Sequence, residues 1–297
     1  QIPFLREEIM NFMSQFPFKF KNKDQNNFFK FMLSIISAFL IRKAHLNLKK
    51  IDRIKDYYEN TEKSHKKEYL SLTDQDYIVL LYLTSGTSSS VRLIYYIKQN
   101  RLFLMKSFNN NNSYERELSN YMQIDYPFIA KFYGTAVFNH TNCIILEYID
   151  GFSFSSEEIK LFSIEEKLKI VFQLMISFNY LHKKFIIRDI HPNNLFIDQF
   201  KKLVMIDFDR MFGVTEVSAD IFLAPESCEK LIFTKQSDIY SLGKIIQFLF
   251  EKEFKSIKDD KLKKINHICE QCTQLNPNQR PSLPNIIKEF ISSFFEP

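Results

Sequence analysis

The residues most suited to chemistry lie in one apolar stretch, which reads FIIRDIHPNNLFIDQFKKLVMIDFD over 185–209. It contains Arg188-Asp189, then Asn194, then Asp207. Burying a carboxylate without a partner is unfavourable, so these side chains should lie at strand ends or on a loop, where they face a binding partner.

This spacing resembles the catalytic core of the eukaryotic protein kinases, which have a His-Arg-Asp loop ending in Asn and an Asp-Phe-Gly metal-binding turn. The matching segments here are 187–189, Asn194 and 207–209. The resemblance implies that ATP is the phosphate donor. It also implies that Asp189 orients the acceptor hydroxyl and that Asn194 and Asp207 hold Mg²⁺.

Apolar runs over 77–108 predict a meander of antiparallel strands. In the family, a glycine-rich turn after the first strand covers the nucleotide phosphates. Of that pattern the sequence keeps Gly86 and Val91, with Thr84 and Ser89 at the other two glycine positions. A Ser/Thr-rich hairpin without a phosphate-binding role is an equally good interpretation of this stretch alone.

A lysine and a glutamate complete the nucleotide site that the resemblance implies. Lys106 follows an apolar strand and matches the family's phosphate-binding lysine. We expect a helix that begins at Asn112 with a capping box to Glu115, and Glu117 on it would pair with Lys106. Glu115 is the alternative partner.

Two further regions match the family. After the apolar run 144–146, backbone groups of Glu147 and Ile149 would bind the adenine edge. A capping box at Ser163 and Glu166 predicts a long amphipathic helix that leads to the catalytic loop.

The large lobe also has structural residues that the resemblance assigns. Ala224-Pro225-Glu226 matches the family's Ala-Pro-Glu, and Arg280 would form a buried ion pair with Glu226. Asp238 would hydrogen-bond the backbone of the catalytic loop.

Four residues depart from the family pattern. Ile187 replaces a mainly structural His, and Asp209 replaces a Gly at which a left-handed backbone is tolerated. His191 replaces the family's Lys, which contacts the transferred phosphate, and the imidazole of His191 can still donate a hydrogen bond to that phosphate. Ala219 replaces the Thr that joins this Lys to the catalytic Asp. Because His191 and Ala219 replace both members of one interaction, they point to weakened or unusual handling of the acceptor.

The expected activation segment is short, and Thr215 and Ser218 are the hydroxyl side chains between Asp207 and Glu226. Arg188 would pair with a phosphate on either hydroxyl. The alternative is a short loop that folds without phosphate control.

The rest of the chain limits other functions. Its 297 residues and 45% hydrophobic content suffice for a large core, and the net charge of +5 is too small to indicate nucleic acid or membrane binding. The longest apolar run of the amino-terminal half, over 31–41, is too short to span a membrane. Four scattered cysteines fit a reducing cytosol, and a metal or redox role for Cys269 and Cys272 is the minor alternative.

We therefore expect an α+β, two-lobed protein kinase fold, with a small antiparallel β lobe that has one helix and a large helical lobe. The domain would span 77–297, with lobes 77–147 and 152–297. A helical segment and linker over 1–76 (helices over 1–60, linker over 61–75) would precede it and could bind a regulatory partner. Because the chain starts at Gln1 without Met, a longer parent protein is left open.

The predicted function is transfer of the ATP γ-phosphate to Ser/Thr of protein substrates in the cytoplasm, with Lys106, Asp189, Asn194 and Asp207 as the catalytic set. The nucleotide would be bound by Gly86, Val91, Lys106, Glu117, Glu147, Ile149 and His191. A pseudokinase acting as a nucleotide-binding or scaffold module is the main alternative. A kinase of small molecules is a weaker one.

Overall fold

The computed structural model divides the chain into two compact units, which are described one at a time. It describes residues 69–85, 89–208, 221–257 and 259–294. The first unit contains 69–109 and 133–146 of these residues, and the second contains Asn110–Phe132 and the residues from Glu147 onward. The helices predicted over 1–60 lie outside the described residues.

The first unit is a six-stranded sheet with the strand order β1-β5-β6-β4-β3-β2. Strands β2, β3 and β4 form the antiparallel meander that the apolar runs predicted. The strands are β1 Leu70–Leu72, β2 Tyr77–Ser85, β3 Ser89–Tyr96, β4 Arg101–Phe108, β5 Phe132–Phe138 and β6 Thr141–Glu147.

Strand β1 lies in the range for which the polar composition had predicted a linker. It pairs in parallel with β5, and Leu70 is the register partner of Gly134. Gly134 has φ +151°, and a Cβ there would lie 2.0 Å from the Leu70 carbonyl oxygen. Glycine is therefore required where the two strands approach each other.

One face of this sheet forms a buried apolar cluster, because alternate residues of a strand point to the same face. Ile94 on β3 and Phe103 on β4 are register partners, and both are fully buried. The other buried members of the cluster are Leu72, Tyr77, Tyr96, Met105, Ala136, Cys143 and Ile145.

The second unit is mainly helical, with a small antiparallel sheet of order β7-β8-β9. Its strands are β7 Gly151–Ser153, β8 Leu195–Asp198 and β9 Leu203–Met205. Its helices are α1 Asn111–Gln123, α2 Ile164–Leu181, α3 Pro225–Lys230, α4 Lys235–Leu249, α5 Glu251–Phe254, α6 Asp260–Cys272 and α7 Leu283–Phe294. Short 3₁₀ turns lie at Glu157–Leu161, Pro192–Asn194 and Pro277–Gln279.

Two predicted helix starts have different outcomes. The capping box of Ser163 and Glu166 is confirmed, with both reciprocal hydrogen bonds present at the start of α2. The capping box expected at Asn112 and Glu115 is wrong, because Asn110 caps α1 by accepting a bond from Ser113 N. In a run of consecutive asparagines several residues can serve as the cap, and the sequence does not distinguish them.

The described residues include no helix that is both long and apolar enough to cross a membrane.

Candidate active site

The loop that contains Asp189 is fixed by a buried carboxylate of α4. Asp238 is 1% exposed and accepts hydrogen bonds from Ile187 N at 2.8 Å and Arg188 N at 2.9 Å. His182, at the end of α2, places its Nε2 2.9 Å from the same carboxylate. The predicted structural role of Asp238 is confirmed. Arg188 has φ +67°, a left-handed conformation that these bonds help to hold.

Asp189 and Asn194 are joined within the same loop. The side-chain Nδ2 of Asn194 donates to the backbone oxygen of Asp189 at 3.2 Å. The intervening chain closes as a 3₁₀ turn over Pro192–Asn194, in which Asn194 N donates to His191 O at 3.0 Å. The buried amide of Asn194 is therefore oriented by its nitrogen, which leaves its Oδ1 as the atom for a ligand.

Asp207 follows β9, and a backbone hydrogen bond of the preceding residue brings this segment close to Asn194 in space. Ile206 N donates to Asn194 O at 2.9 Å, which brings the end of β9 beside the loop. Asp207 has φ +63°, in the left-handed region that Asp tolerates better than most residues. These hydrogen bonds bring the backbone segments that contain Asp189, Asn194 and Asp207 together.

Two side chains of α1 hold the next residue, Phe208, and the sequence interpretation missed both. Asn120, fully buried, donates from Nδ2 to Phe208 O at 2.5 Å. The ring of Tyr121 meets the Phe208 ring edge-on, with centroids 5.5 Å apart. The available signal was a polar Asn one helical turn after Glu117, on the same face of an otherwise amphipathic helix.

His191 lies beside the predicted catalytic carboxylate. Its Nε2 is 3.8 Å from Asp189 Oδ1, and both side chains are about one quarter exposed. A donor at this position can reach an anionic group that approaches Asp189.

Lys106 and Val91 belong to the first unit and lie side by side on adjacent strands. They are register partners on β4 and β3. Lys106 is 5% exposed, and its Nζ lies 5.4 Å from the centre of the Phe108 ring. The antiparallel pairing of β2 and β3 extends to the Ser85–Ser90 pair. Gly86 lies outside the described residues.

The two glutamates proposed for α1 differ in burial. Glu117 is fully buried, whereas Glu115 is exposed and accepts a bond from Asn111 Nδ2 at 2.6 Å. Burial favours Glu117 over Glu115 as the functional residue. Glu117 belongs to the second unit and Lys106 to the first, so their pairing stays a prediction.

The predicted adenine-binding segment begins in a defined conformation. Glu147 N donates to Lys131 O at 2.9 Å, and Lys131 N donates to Glu147 Oε2 at 3.2 Å. The backbone oxygen of Glu147 takes part in neither bond. Ile149 follows, partly exposed, before β7 begins.

The Glu226–Arg280 ion pair is present, as predicted. Arg280 donates from two nitrogens to the two carboxylate oxygens at 2.5 and 2.9 Å, and its side chain is fully buried. Arg280 also donates to the backbone oxygens of Gln274, Leu275 and Gln236. Burial alone would raise the pKa of Glu226, but the bonds and charge of Arg280 outweigh it and the pKa is lowered.

The predicted control segment is described only at its edges. Asp209, Thr215, Ser218 and Ala219 lie outside the described residues. The guanidinium of Arg188 lies over the Phe233 ring, with its carbon 5.1 Å from the ring centre. Its pairing with a phosphate stays a prediction.

The oxygen donors near the loop fit a hard divalent cation. Asn194 Oδ1 and the Asp207 carboxylate would supply two protein ligands, and Mg²⁺ commonly takes its other ligands from water and phosphate oxygens. Within the described ranges no three His, Cys, Asp or Glu side chains form a metal-binding group.

Cys269 and Cys272 are buried free thiols, and burial raises the pKa of Cys272 to about 12, which disfavours the reactive thiolate.

A family model described as "Protein kinase domain" matches residues 77–297. The chain belongs to the protein kinase family, and the predicted fold class is confirmed.

Several curated proteins are similar to this chain. One is "Serine/threonine-protein kinase Nek10" from Mus musculus, 26% identical over 242 residues, which are 71% of this chain and 22% of that protein. Another is "Putative mitogen-activated protein kinase kinase kinase 7-like" from Drosophila melanogaster, 22% identical over 72% of this chain and 65% of that protein. A third is "Dual specificity protein kinase pyk3" from Dictyostelium discoideum, 23% identical over 62% of this chain and 16% of that protein. The chain thus spans less than two thirds of each.

Proposed function

We propose that this chain transfers the γ-phosphate of ATP to Ser and Thr hydroxyls of protein substrates. The observation that carries the proposal is the fixed catalytic loop: Asp238 holds its backbone, and Asn194 is bonded to the backbone of Asp189. Phosphoryl transfer depends mainly on positioning and charge neutralisation, so a preorganised loop is the feature that this reaction needs.

In this proposal Asp189 orients the acceptor hydroxyl and accepts its proton. Asn194 and Asp207 hold the Mg²⁺ that accompanies ATP and neutralises phosphate charge. Lys106 binds the phosphates, supported by Glu117, and Gly86 and Val91 cover the nucleotide. Backbone groups of Glu147 and Ile149 bind adenine.

His191 is proposed to contact the transferred phosphate. The 3.8 Å separation from Asp189 supports this role, because a group that approaches the carboxylate also comes within reach of the imidazole. A neutral imidazole donates one hydrogen bond where a lysine supplies a full charge. We therefore expect slower transfer than a lysine at this position would give.

Ser/Thr specificity is the finer part of the proposal. Two of the three relatives described above have names of Ser/Thr or kinase-kinase-kinase type, while the third is named as dual-specificity. We further propose a kinase domain over 77–297 with lobes 77–147 and 152–297, a cytoplasmic location, and contact of residues 1–76 with a regulatory partner.

The test is transfer of labelled γ-phosphate from ATP–Mg²⁺ to a generic protein and to the chain itself, beside Asp189→Asn. We expect transfer to exceed that of the variant by about 10²–10⁴-fold, the contribution of a positioned general base. Acid hydrolysis of the product should give phosphoserine and phosphothreonine. Phosphotyrosine alone would contradict the Ser/Thr assignment.

The alternative is a pseudokinase, and the same experiment separates the two. If wild type and Asp189→Asn are equally inactive while ATP still raises the melting temperature, the chain is a nucleotide-binding or scaffold module. Unchanged ATP affinity in Lys106→Met would show that the nucleotide site is misassigned. Transfer only to small molecules would favour the weaker alternative, a kinase of small molecules.

A further inference from the structure

Arg92 is a buried cation for which the described residues provide no carboxylate partner. It lies on β3 of the first unit and is 9% exposed. Among the described residues, no Asp or Glu forms an ion pair with it, and its hydrogen-bond partner is the hydroxyl of Ser107 at 2.6 Å from Nη1. Its Nε is fully buried and has no acceptor.

Two neighbours of Arg92 on this face carry hydroxyl groups, beside the apolar Met105 that lies directly opposite it on β4. Ser90 and Ser107 are register partners on β3 and β4, and Ser90 is two residues before Arg92. All three side chains therefore share one face of the sheet. The two serine oxygens are 3.2 Å apart, so the guanidinium and the hydroxyl groups form one continuous polar group.

Two aromatic rings lie over the guanidinium. Its carbon is 4.7 Å from the centre of the Tyr82 ring and 4.4 Å from that of Phe138. These contacts offset part of the loss of hydration. They do not satisfy the Nε–H, which points along the plane of the guanidinium rather than toward a ring face. Tyr82 is 65% exposed, so the cluster lies at the surface.

A guanidinium stays charged throughout the accessible pH range, so this site cannot avoid the penalty by losing a proton. A buried charge and an unpaired buried donor are both unfavourable. Both are relieved by an oxyanion, because oxygen atoms accept from the in-plane N–H groups and from serine hydroxyls.

We propose that Arg92, Ser90 and Ser107 form a binding site for a phosphate group. The ligand is inorganic phosphate or a phosphate monoester such as phosphoserine, which offer the same oxygens. The site is separate from the residues assigned to catalysis and does not depend on phosphotransfer activity.

The experiment follows the Nε–H resonances of arginine by ¹⁵N NMR in the whole chain. Sodium phosphate is titrated against sodium chloride at matched ionic strength, and Arg92→Lys identifies the Arg92 signal. We expect the Arg92 Nε–H signal to shift in a saturable way with phosphate and not with chloride. Ser107→Ala should weaken this binding several-fold.

Arg101→Met is the matched control. Arg101 also stacks on two rings of this sheet, Phe103 and Tyr133, but its Nη2 donates to the Tyr133 hydroxyl at 2.6 Å. Saturating phosphate should raise the melting temperature of wild type and of Arg101→Met by about 2–4 °C more than that of Arg92→Met. Phosphate bound at the nucleotide site would persist in Arg92→Met, so the difference isolates Arg92.

The two ligand sources are separated by repeating the titration with O-phosphoserine. Tighter binding of phosphoserine than of phosphate assigns the site to a phosphate monoester, and the reverse assigns it to the free ion. An Arg92 signal that neither compound moves overturns the proposal, as does an equal gain in melting temperature for Arg92→Met and wild type.

Discussion

Replacing Asp238 with Asn tests whether this carboxylate holds the catalytic loop. The amide keeps one acceptor oxygen but places an NH₂ group opposite a backbone N–H of Ile187 or Arg188. Losing one bond to a charged acceptor costs about 1.5–3 kcal/mol, and the unsatisfied buried donor adds about 1–3 kcal/mol. The unfolding free energy should fall by about 3–5 kcal/mol, and the melting temperature by about 10 °C.

Asp198→Asn is the matched control for this variant. Asp198 also accepts two backbone hydrogen bonds, from Phe200 N at 2.7 Å and Lys202 N at 3.0 Å, but both reach its Oδ1 and the residue lies partly exposed at the end of β8. The amide oxygen of Asn at the Oδ1 position can still accept both bonds, so the unfolding free energy should fall by no more than about 1 kcal/mol. Calorimetry and urea unfolding measure both variants. An Asp238→Asn effect no larger than that of the control would refute this reasoning.

Three further predictions concern other buried polar contacts. The pKa of Glu226 is lower in the folded chain than in the unfolded chain, so its pairing with Arg280 stabilises the fold fully above the unfolded pKa. This stabilisation is lost as the pH falls through the lower folded pKa. In urea unfolding, Glu226→Gln should therefore not show this loss of stability at acid pH. Lys167 is buried and bonded to Glu253 at 2.7 Å, so Lys167→Met alone should cost about 3 kcal/mol, whereas Lys167→Met with Glu253→Met should recover most of it in a double-mutant cycle. Asn120→Leu removes the hydrogen bond from the side-chain amide to Phe208 O. The variant should lose more free energy in the activation barrier of turnover than in unfolding. Equal free-energy losses in turnover and in unfolding would contradict a role in positioning this turn.

The sequence predicted those features that a local pattern specifies. Asp238 could be assigned because a carboxylate in an apolar helix needs a buried partner, and the family resemblance named that partner. The start of α2 was predictable because the Ser163 capping box is a contiguous signal. The start of α1 was not, since Asn110 and its neighbouring asparagines have the same capping propensity.

Features that depend on tertiary contacts could not be predicted. Strand β1 is three residues long and is stabilised by pairing with a strand more than sixty residues away, so no local periodicity indicates it. Asn120 contacts the backbone of Phe208, and backbone acceptors leave no trace in the side-chain sequence. In the sequence Arg92 is an ordinary strand residue, because its burial beside Ser107 and two aromatic rings is a property of the packed sheet.

The proposed activity requires Asp189, Asn194 and Asp207 to act as one phosphotransfer site. The most direct test is the initial rate of γ-phosphate transfer at saturating Mg²⁺ for wild type and Asp207→Asn. Asn tolerates the left-handed backbone at this position, so the fold should persist while a charged metal ligand is lost. We predict a rate at least about 100-fold lower with an almost unchanged melting temperature, in line with loss of an electrostatic group that acts in the transition state. A rate within a factor of about two of wild type would contradict the claim, because removing such a group normally has a far larger effect.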